Sequence, residues 1–274
     1  MEQSSSQKSD PLSIDDGLKN HEIHDVLIAV LQRIVDICEA RDIEYFLIGG
    51  GCLGIVRHQN GFVPWDDDLD IAVWAGDMPR LIEAMAALPP HLRLEASSEE
   101  LNPTIKVVDC DTQTWGGKSG EVDGIFVDII PMMHWRSRVW KKLDNLVGRI
   151  IWLSQPKSGR ALQRSPLASL AGLHQFASWL RRRYLLAKFH RDDIACRREG
   201  RGLISGASGR KWTGYFDHDV IFPLDTAQFC GVEIKVPRDL HRFLSLRYGE
   251  DYMTLPDPSV RWRHFKGARK VSRP

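Results

Sequence analysis

The residues of this chain that could do chemistry begin in GFVPWDDDLDIAV, residues 61–73, where aspartates crowd against an apolar run. If LDIAVW is a strand, its side chains alternate, so Asp66, Asp68 and Asp70 lie on one side of the chain. Carboxylates this close repel one another unless one is protonated or a divalent cation lies between them. Carboxylate oxygens are hard ligands that select Mg²⁺ or Mn²⁺. The spacing therefore predicts a metal site at the start of this strand.

Two further features favour a metal site that also binds phosphate. Asp128 stands inside GIFVDIIPM, an apolar stretch in which an unpaired ionised carboxylate would be strongly destabilising. Asp128 therefore needs a cation, and the metal of the first cluster would provide one. Upstream of the aspartates, the turn GGG at residues 49–51 follows the apolar segment EYFLI. Glycine lets backbone N–H groups approach phosphate oxygens without interference from a Cβ atom.

Other interpretations of these motifs explain less of the sequence. If the aspartates only formed a solvated acidic turn, Asp128 in its apolar stretch would have no partner. An EF-hand calcium loop that starts at Asp66 needs glycine at its sixth position and glutamate at its twelfth, where the chain has Ile71 and Asp77. The pattern GGGCLG has the dinucleotide-binding spacing, but Gly61 and Pro64 leave too little room for the crossover helix of that fold. The motifs agree best with a nucleotidyltransferase-type site.

The elements that must position these residues alternate between helices and short strands. Apolar residues at helical spacing predict a helix over 21–41, and EYFLI, LDIAVW, IKVVD and GIFVDII predict buried strands. The pattern predicts short helices in CLGIVRH and over 77–88, and it becomes helical after residue 135. The strand GVEIKV and the helix DLHRFLSLRYG follow near the end. We therefore predict an α+β fold, with a nucleotidyltransferase-like mixed-sheet core and flanking helices.

This interpretation of the sequence divides the chain into four parts. They are a disordered leader over 1–19, the nucleotidyltransferase-like core over 20–135, a basic helical insert over 136–215, and a small strand-helix module over 216–274 that packs on the core.

Composition restricts the class of protein. Lys and Arg number 37 against 36 Asp and Glu, which argues against a polyanionic partner for the chain as a whole. The first residues lack the apolar core of a signal peptide, and no run is long enough to span a membrane, so we expect a cytoplasmic protein. The five cysteines form no CxxC pair, which is typical of reduced thiols rather than of a disulfide framework or a zinc site.

Charge is distributed unevenly despite this balance. From Arg136 to Arg191 the chain has 13 Lys or Arg and a single acid, Asp144. Such a run is typically a solvated helix face. The tryptophan, phenylalanine and tyrosine residues among the cations raise a second hypothesis, a peripheral membrane contact through residues 136–191, where helices rest on anionic lipid or cradle a lipid-linked acceptor. We expect no nucleic acid partner, because acids surround the predicted site.

Two blocks of sequence resemble a known family. GGGCLGIVRHQNGFVPWDDDLDI, residues 49–71, resembles the LicD/fukutin-related family of the nucleotidyltransferase superfamily, and IFPLDTAQFCGVEIKVPRDLHRFLSLRYGEDYMTLP, residues 221–256, looks like that family's terminal module. The resemblance implies a Mg²⁺- or Mn²⁺-dependent transferase. It would move a phospho-alcohol such as phosphocholine from a CDP-activated alcohol donor to a sugar hydroxyl of a glycoconjugate, with a sugar or a lipid-linked glycan as acceptor.

The resemblance also implies the catalytic residues. Asp68, Asp70 and Asp128 would be both the catalytic residues and the metal ligands, and Asp66 would be the acidic residue that precedes them on the same face. Asp67 should point away from its neighbours and is a weaker candidate.

Further residues are predicted to bind substrate. Gly50 and Gly51 would lie against the donor phosphates, and Arg57 would supply a fork-shaped cationic contact to them. His58 could orient Arg57 or the donor, or be structural. Lys106 in IKVVD is either a phosphate contact or a charge that keeps an edge strand soluble.

Two other functions stay open at this point. A nucleotidyltransferase that adds NMP to a small molecule would release pyrophosphate from an NTP, whereas a phospho-alcohol transferase releases CMP from its donor. A non-catalytic module that binds nucleotide or glycan is the second alternative. The intact set of acids argues against it.

Overall fold

The structure, a computed structural model, describes residues 17–96, 105–116, 124–154, 170–206 and 214–271. Most of the predicted disordered leader, residues 1–16, lies outside the described residues. Near the end of that predicted leader, the Leu18 N–H donates a hydrogen bond to the Ala268 carbonyl at 2.7 Å. The start of the described chain is thereby tied to a strand near the end of the sequence.

The first helix carries an apolar stripe that packs on the sheet, in which Ile23, Leu27 and Leu31 recur at helical spacing and are buried. The described α-helices are α1 (Asn20–Ala40), α2 (Gly49–Arg57), α3 (Met78–Ala84), α4 (Arg138–Ser154), α5 (Leu170–Leu180), α6 (Leu186–Glu199), α7 (His218–Ile221) and α8 (Leu240–Tyr248). A π-helical turn, Arg181–Leu185, joins α5 to α6.

The strands include every segment predicted from an apolar run, together with several that were not predicted. They are β1 (Tyr45–Ile48), β2 (Leu69–Trp74), β3 (Leu92–Ala96), β4 (Ile105–Asp109), β5 (Thr112–Trp115), β6 (Phe126–Trp135), β7 (Leu203–Gly206), β8 (Phe216–Asp217), β9 (Asp225–Phe229), β10 (Val232–Val236) and β11 (Gly267–Lys270). The fold is therefore mixed α+β, as predicted.

A single mixed sheet forms the centre of the described structure. Its strand order is β1-β2-β6-β4-β3, and the long β6 also pairs with β7, which in turn pairs with β8. Strands β2 and β6 are parallel, whereas β4 runs antiparallel to β6. This register sets Asp70 opposite Asp128, and Asp128 opposite Lys106. Three charged side chains are thus brought to adjacent positions on neighbouring strands.

Three local predictions need correction. The glycines at 49–51 are the first residues of α2 rather than a separate turn, because Gly49 takes φ +64° and directs the chain from β1 straight into the helix. Strand β2 begins at Leu69, so Asp66 and Asp68 precede it and only Asp70 lies within it. Lys106 is not on an edge strand, because β4 lies between β6 and β3.

The segment predicted as a basic helical insert also contributes a strand. Strand β7 pairs with the second half of β6. Helix α6 is held to the same strand by the buried Asp193, which accepts the His134 N–H at 2.7 Å. The His134 ring lies between Asp193 and His218, with nitrogens 3.1 Å from a partner atom on each side. The helical segment, the sheet and α7 are therefore joined at one buried point.

The C-terminal part of the chain is spread over the core. The hairpin β9–β10 packs beside β1, helix α8 packs on α2, and β11 pairs with β5. Across the ranges that the structure describes, no helix has the length and apolar content needed to cross a membrane.

Candidate active site

The sheet register gathers three carboxylates at one point. Asp70 and Asp128 lie at paired positions of two parallel strands, and Asp68 lies just before the first of them. One oxygen from each of the three lies within 4.8 Å of the others. The three residues predicted as metal ligands are thus brought together.

Burial and mutual repulsion disfavour ionisation of this cluster. Burial and the charges of Asp68 and Asp128 raise the pKa of Asp70 well above its usual range. Burial also raises the pKa of Asp68 to about 6, against the lowering effect of His264. A divalent cation would relieve this repulsion, and three carboxylate oxygens are the donors that Mg²⁺ or Mn²⁺ prefers. The residues present therefore fit such an ion.

Lys106 neutralises part of this charge. Its Nζ lies 3.2 Å from Asp128 Oδ1 and 3.4 Å from the centroid of the Phe126 ring. Both side chains of the ion pair are mostly buried, so solvent screens the pair only weakly. Lys106 thus offsets one of the three carboxylate charges, and it occupies the position that the strand register gives it.

Asp66 stands against the start of α2. A Cβ atom on Gly50 would lie 2.0 Å from Asp66 Oδ2, so any larger residue would displace this carboxylate. Burial and the charge of Asp68 raise the pKa of Asp66 well above its usual range. Gly51 has a different surrounding, because a Cβ atom there would lie 2.7 Å from Leu47 in the core. Of the two glycines predicted to lie against donor phosphates, Gly50 lines the cavity described below, whereas Gly51 packs against the core.

Arg57 connects α2 to the C-terminal loop. Its Nη1 donates to the carbonyls of Tyr252 and Thr254 at 2.8 and 3.3 Å, and its Nε donates to His58 Nε2 at 3.1 Å. The guanidinium also lies 5.8 Å from the ring centroid of Trp65. His58 thus accepts a hydrogen bond from Arg57. Part of the predicted fork of Arg57 is used to hold the loop that covers the site.

Asp67 was predicted to point away from its neighbours, but one of its oxygens lies within 4.8 Å of an oxygen of Asp68 and of a ring nitrogen of His264. It has a role that the sequence did not suggest. The side chain is fully buried. Its Oδ1 and Oδ2 accept the backbone N–H of His264 at 2.9 and 3.0 Å, and Oδ2 also accepts the N–H of Phe265 at 3.2 Å. The His264 ring then lies between two aspartates, with Nδ1 3.2 Å from Asp67 Oδ1 and Nε2 3.3 Å from Asp68 Oδ2. Asp67 thereby fixes His264 beside the carboxylate cluster.

Electrostatics support this ion pair. Burial would raise the pKa of Asp67, but the hydrogen bonds from His264 and Phe265 outweigh it and lower the pKa below its usual range. Burial would lower the pKa of His264, but the hydrogen bond to Asp67 and the charge of Asp68 raise it above its usual value. Each partner thus favours the charged form of the other.

The cluster opens into a cavity of about 790 Å³. One wall has the acids Asp66, Asp68, Asp70 and Asp128, and the opposite wall comes from the C-terminal part of the chain. That second wall includes residues that were not singled out from the sequence: Arg247, Tyr248, Tyr252, Trp262 and His264. The first three fall within residues 221–256, the block that resembles the family's terminal module, so the sequence did contain a signal for them. Trp262 and His264 lie beyond that block, and no local pattern marks them.

The arrangement can bind a molecule that carries both phosphate and an apolar or aromatic group. Carboxylates at the base suit a metal ion, and Arg57 and Arg247 at the wall suit phosphate oxygens. Trp65, another lining residue, is stacked by Arg261, whose guanidinium lies 4.0 Å from the ring centroid. The chemical class that these features define is transfer of a phosphate-bearing group.

Comparison with a protein family agrees with this class. Residues 42–157 match the family described as LicD/FKTN/FKRP, nucleotidyltransferase domain. This range contains β1, α2, β2 and β6, and so all the carboxylates of the cluster. The resemblance predicted from the sequence is confirmed over residues 42–157, the range that matches this family.

A curated relative supports the same family. The chain is similar to the lipopolysaccharide cholinephosphotransferase LicD of Haemophilus influenzae (strain ATCC 51907 / DSM 11121 / KW20 / Rd), with 26% identity over 249 residues. The match covers 84% of this chain and 90% of that protein. It therefore covers about twice the length of the domain match over residues 42–157.

Likeness to solved structures is weaker. The lincosamide antibiotic adenylyltransferase LnuA in its lincomycin-bound form aligns at 12% identity and a TM-score of 0.33, over 76% of this chain and 78% of that one. The antibiotic-resistance factor ANT(2'')-Ia aligns at 9% identity and a TM-score of 0.27, over 64% and 97%. Scores this low carry no argument about fold or function.

Proposed function

We propose that this chain is a metal-dependent transferase that moves a phospho-alcohol, phosphocholine in the first instance, from a CDP-activated donor to a sugar hydroxyl of a glycoconjugate. The observation that carries the proposal is the cluster of Asp68, Asp70 and Asp128, with oxygens within 4.8 Å of one another inside a LicD-family domain. The name of the curated relative, a cholinephosphotransferase of lipopolysaccharide, supports the choice of group and acceptor.

Asp68, Asp70 and Asp128 would hold the Mg²⁺ or Mn²⁺ ion. When bound, such an ion neutralises the charge that develops on the phosphate as the bond to its leaving group breaks. The part left to the chain is to bind and orient the two substrates and to receive a proton. One carboxylate that lines the cavity would accept the proton of the attacking sugar hydroxyl while the new O–P bond forms and CMP leaves the donor.

The wall opposite the acids would bind the donor. Arg247 brings a guanidinium to the cavity from α8, and Arg57 brings a second one from α2. These cations suit the two phosphates of a CDP-alcohol. The cavity volume of about 790 Å³ falls within the range of roughly 300–1,000 Å³ that small-molecule sites usually have. Tyr248 and Trp262 at its edge offer flat apolar faces to the base, the alcohol or the acceptor sugar.

The test is a product assay on the purified chain. We would incubate it with Mg²⁺, CDP-choline or CDP-ribitol, and lipopolysaccharide or a simpler sugar acceptor, and measure CMP. The same samples would be assayed for pyrophosphate with each NTP in place of the CDP-alcohol. We expect acceptor-dependent CMP from one CDP-alcohol and label from that alcohol on the glycan.

Two variants make the outcome specific to the site. Asp70→Asn should abolish CMP release, whereas Asp225→Asn, which changes an exposed aspartate in β9, should leave it unchanged. Pyrophosphate from an NTP would instead assign NMP transfer. Nucleotide binding without any product would assign a binding module.

A further inference from the structure

We propose that the exposed side of the helical segment after β6 docks on the surface of an anionic lipid bilayer. This goes beyond the transfer reaction, because it concerns where the enzyme is held and not what its site does. The contact surface is defined here as the aromatic-basic face, which consists of Phe176, Trp179, Arg182, Arg183 and Tyr184.

The first observation is a cluster of aromatic rings that face solvent. Phe176, Trp179 and Tyr184 are 58%, 52% and 54% exposed. They are not scattered, because the ring centroids of Phe176 and Trp179 lie 6.1 Å apart and those of Trp179 and Tyr184 lie 5.4 Å apart. A contiguous aromatic patch in contact with water marks an interaction site far more often than an isolated exposed ring does.

These aromatic rings do not belong to the apolar core of the segment. The inner face of the α4–α5 hairpin has its own apolar cluster, in which Val147, Ile151 and Ala177 are buried. Leu143, Ile150 and Leu185 pack against that cluster. Since the hairpin buries a separate set of residues, its aromatic side remains for another partner.

The second observation is that the exposed charge of this segment has one sign. Residues 136–191 contain 13 Lys or Arg and one acid, Asp144. That acid has a side chain with 0% exposure and accepts a hydrogen bond from Arg181 Nε at 2.8 Å. The two charges therefore offset each other in the protein interior. Arg182 and Arg183 beside it are exposed, and Arg183 lies 5.8 Å from the centroid of Tyr184.

The outer side of α4 repeats this composition. Val139, Lys142, Leu146 and Arg149 recur at helical spacing and are all exposed. Apolar and basic residues thus alternate along one stripe of the helix. No acid interrupts it within α4 except Asp144, which is buried.

Charge and aromatic character together select the partner. Clustered arginine and lysine require an anionic surface, and tryptophan and tyrosine bind most favourably at the level of lipid headgroups. An amphipathic helix with cations on one side of an apolar stripe lies in that interface. A nucleic acid would satisfy the charge, but it would use the rings only if bases were unstacked onto them. An anionic bilayer is therefore the partner that fits both the charge and the aromatic rings of this face.

The test is co-sedimentation of the full chain with vesicles. One set contains phosphatidylcholine alone, and the other contains phosphatidylcholine mixed with phosphatidylglycerol. We expect binding to the mixed vesicles and little to the neutral ones. Arg182→Gln with Arg183→Gln should reduce the partition coefficient by about 25-fold, since each surface arginine contributes roughly fivefold near an anionic membrane. The binding should also weaken as salt is added.

Two further variants control for general effects. Trp179→Ser with Tyr184→Ser should reduce binding while the net charge is unchanged. Arg33→Gln with Lys270→Gln removes the same charge from exposed positions outside the segment and should bind like wild type. All variants change exposed side chains, and a thermal melt checks that each remains folded.

Three results would overturn the proposal. The first is equal binding to neutral and mixed vesicles, or none to either. The second is a loss in the Arg33 and Lys270 control as large as in the Arg182 and Arg183 variant. The third is tight binding to a single-stranded or duplex DNA probe by a chain that does not sediment with vesicles, which would assign the same face to nucleic acid.

Discussion

Asp67→Asn tests whether a residue outside the carboxylate cluster holds the active site together. In the wild-type chain, this buried carboxylate accepts backbone N–H groups of His264 and Phe265 and pairs with the His264 ring. The amide that replaces it keeps one acceptor oxygen and turns an NH₂ group toward N–H donors. The C-terminal segment should therefore lose its attachment to the base of the cavity.

The size of the effect follows from these contacts. A hydrogen bond to a charged group contributes about 1.5 to 3 kcal/mol, and leaving a buried donor unpaired costs about 1 to 3 kcal/mol. We expect the substitution to lower the free energy of unfolding by about 3 kcal/mol, since one oxygen is retained. For a chain of this size, that corresponds to a fall in Tm of roughly 6 to 12 °C. Because the pKa of Asp67 lies below its usual range, its contribution is present above about pH 4 and is lost as the pH falls further.

Urea unfolding at neutral pH measures the change, and hydrogen exchange locates it. The His264 and Phe265 amides should exchange faster in Asp67→Asn than in wild type. The matched control is Asp225→Asn, because Asp225 is exposed and its one bond, from the Thr226 N–H at 2.8 Å, can be kept by the amide oxygen. A loss of stability in Asp67→Asn no larger than in this control, with unchanged exchange at His264, would refute the reasoning.

Three further predictions concern the carboxylate cluster. Gly50→Ala places a Cβ atom 2.0 Å from Asp66 Oδ2, so we expect the transfer rate to fall by about 100-fold. Gly172→Ala meets nothing within 4 Å and should keep the wild-type rate; equal rates in the two variants would contradict the role of Gly50. Asp70→Asn removes one charge from a repulsive buried set, so in EDTA its Tm should exceed that of wild type while activity is lost, and a lower Tm would show that repulsion is not the dominant effect. Burial raises the pKa of Asp68 to about 6, above the roughly 3.9 of an unfolded aspartate, so the folded chain binds the extra proton and its stability in EDTA should increase as the pH falls from about 7 to 5. Mg²⁺ at about 100 times its Kd should add about 2.7 kcal/mol to the free energy of unfolding at neutral pH, and less in acid. A Tm that changes with neither pH nor Mg²⁺ would contradict a metal site.

The carboxylate cluster could be predicted because its signals are local. The alternate spacing of Asp66, Asp68 and Asp70 is visible in five consecutive positions, and Asp128 stands out because its neighbours are apolar. The requirement that a buried charge has a partner then placed Asp128 near the others before any strand order was known. The parallel register of β2 and β6 supplies the physical reason, since it sets Asp70 and Asp128 side by side.

Several strands could not be predicted, because their own residues carry little signal. Strand β5 reads TQTW and β11 reads GARK, with few apolar side chains to indicate a buried face. Each becomes a strand by pairing with the other, although Thr112 and Lys270 are far apart in sequence. Strand β7 likewise forms by pairing with the second half of the long β6. Such pairings depend on tertiary contacts that no local window contains.

The rule that a buried charge needs a partner also applies to Asp67. Strand alternation predicted that it points away from Asp66 and Asp68, so it was a weak candidate for chemistry. The strand begins only at Leu69, however, and the Asp67 carboxylate lies within 4.8 Å of that of Asp68. A buried carboxylate outside the predicted metal ligands still needs a partner of its own. Its partner, His264, is 197 positions later in the chain. A buried aspartate next to the predicted metal ligands is therefore informative, because it predicts that some distant N–H or cationic group must pair with it. In this chain that group brings the last wall of the cavity with it.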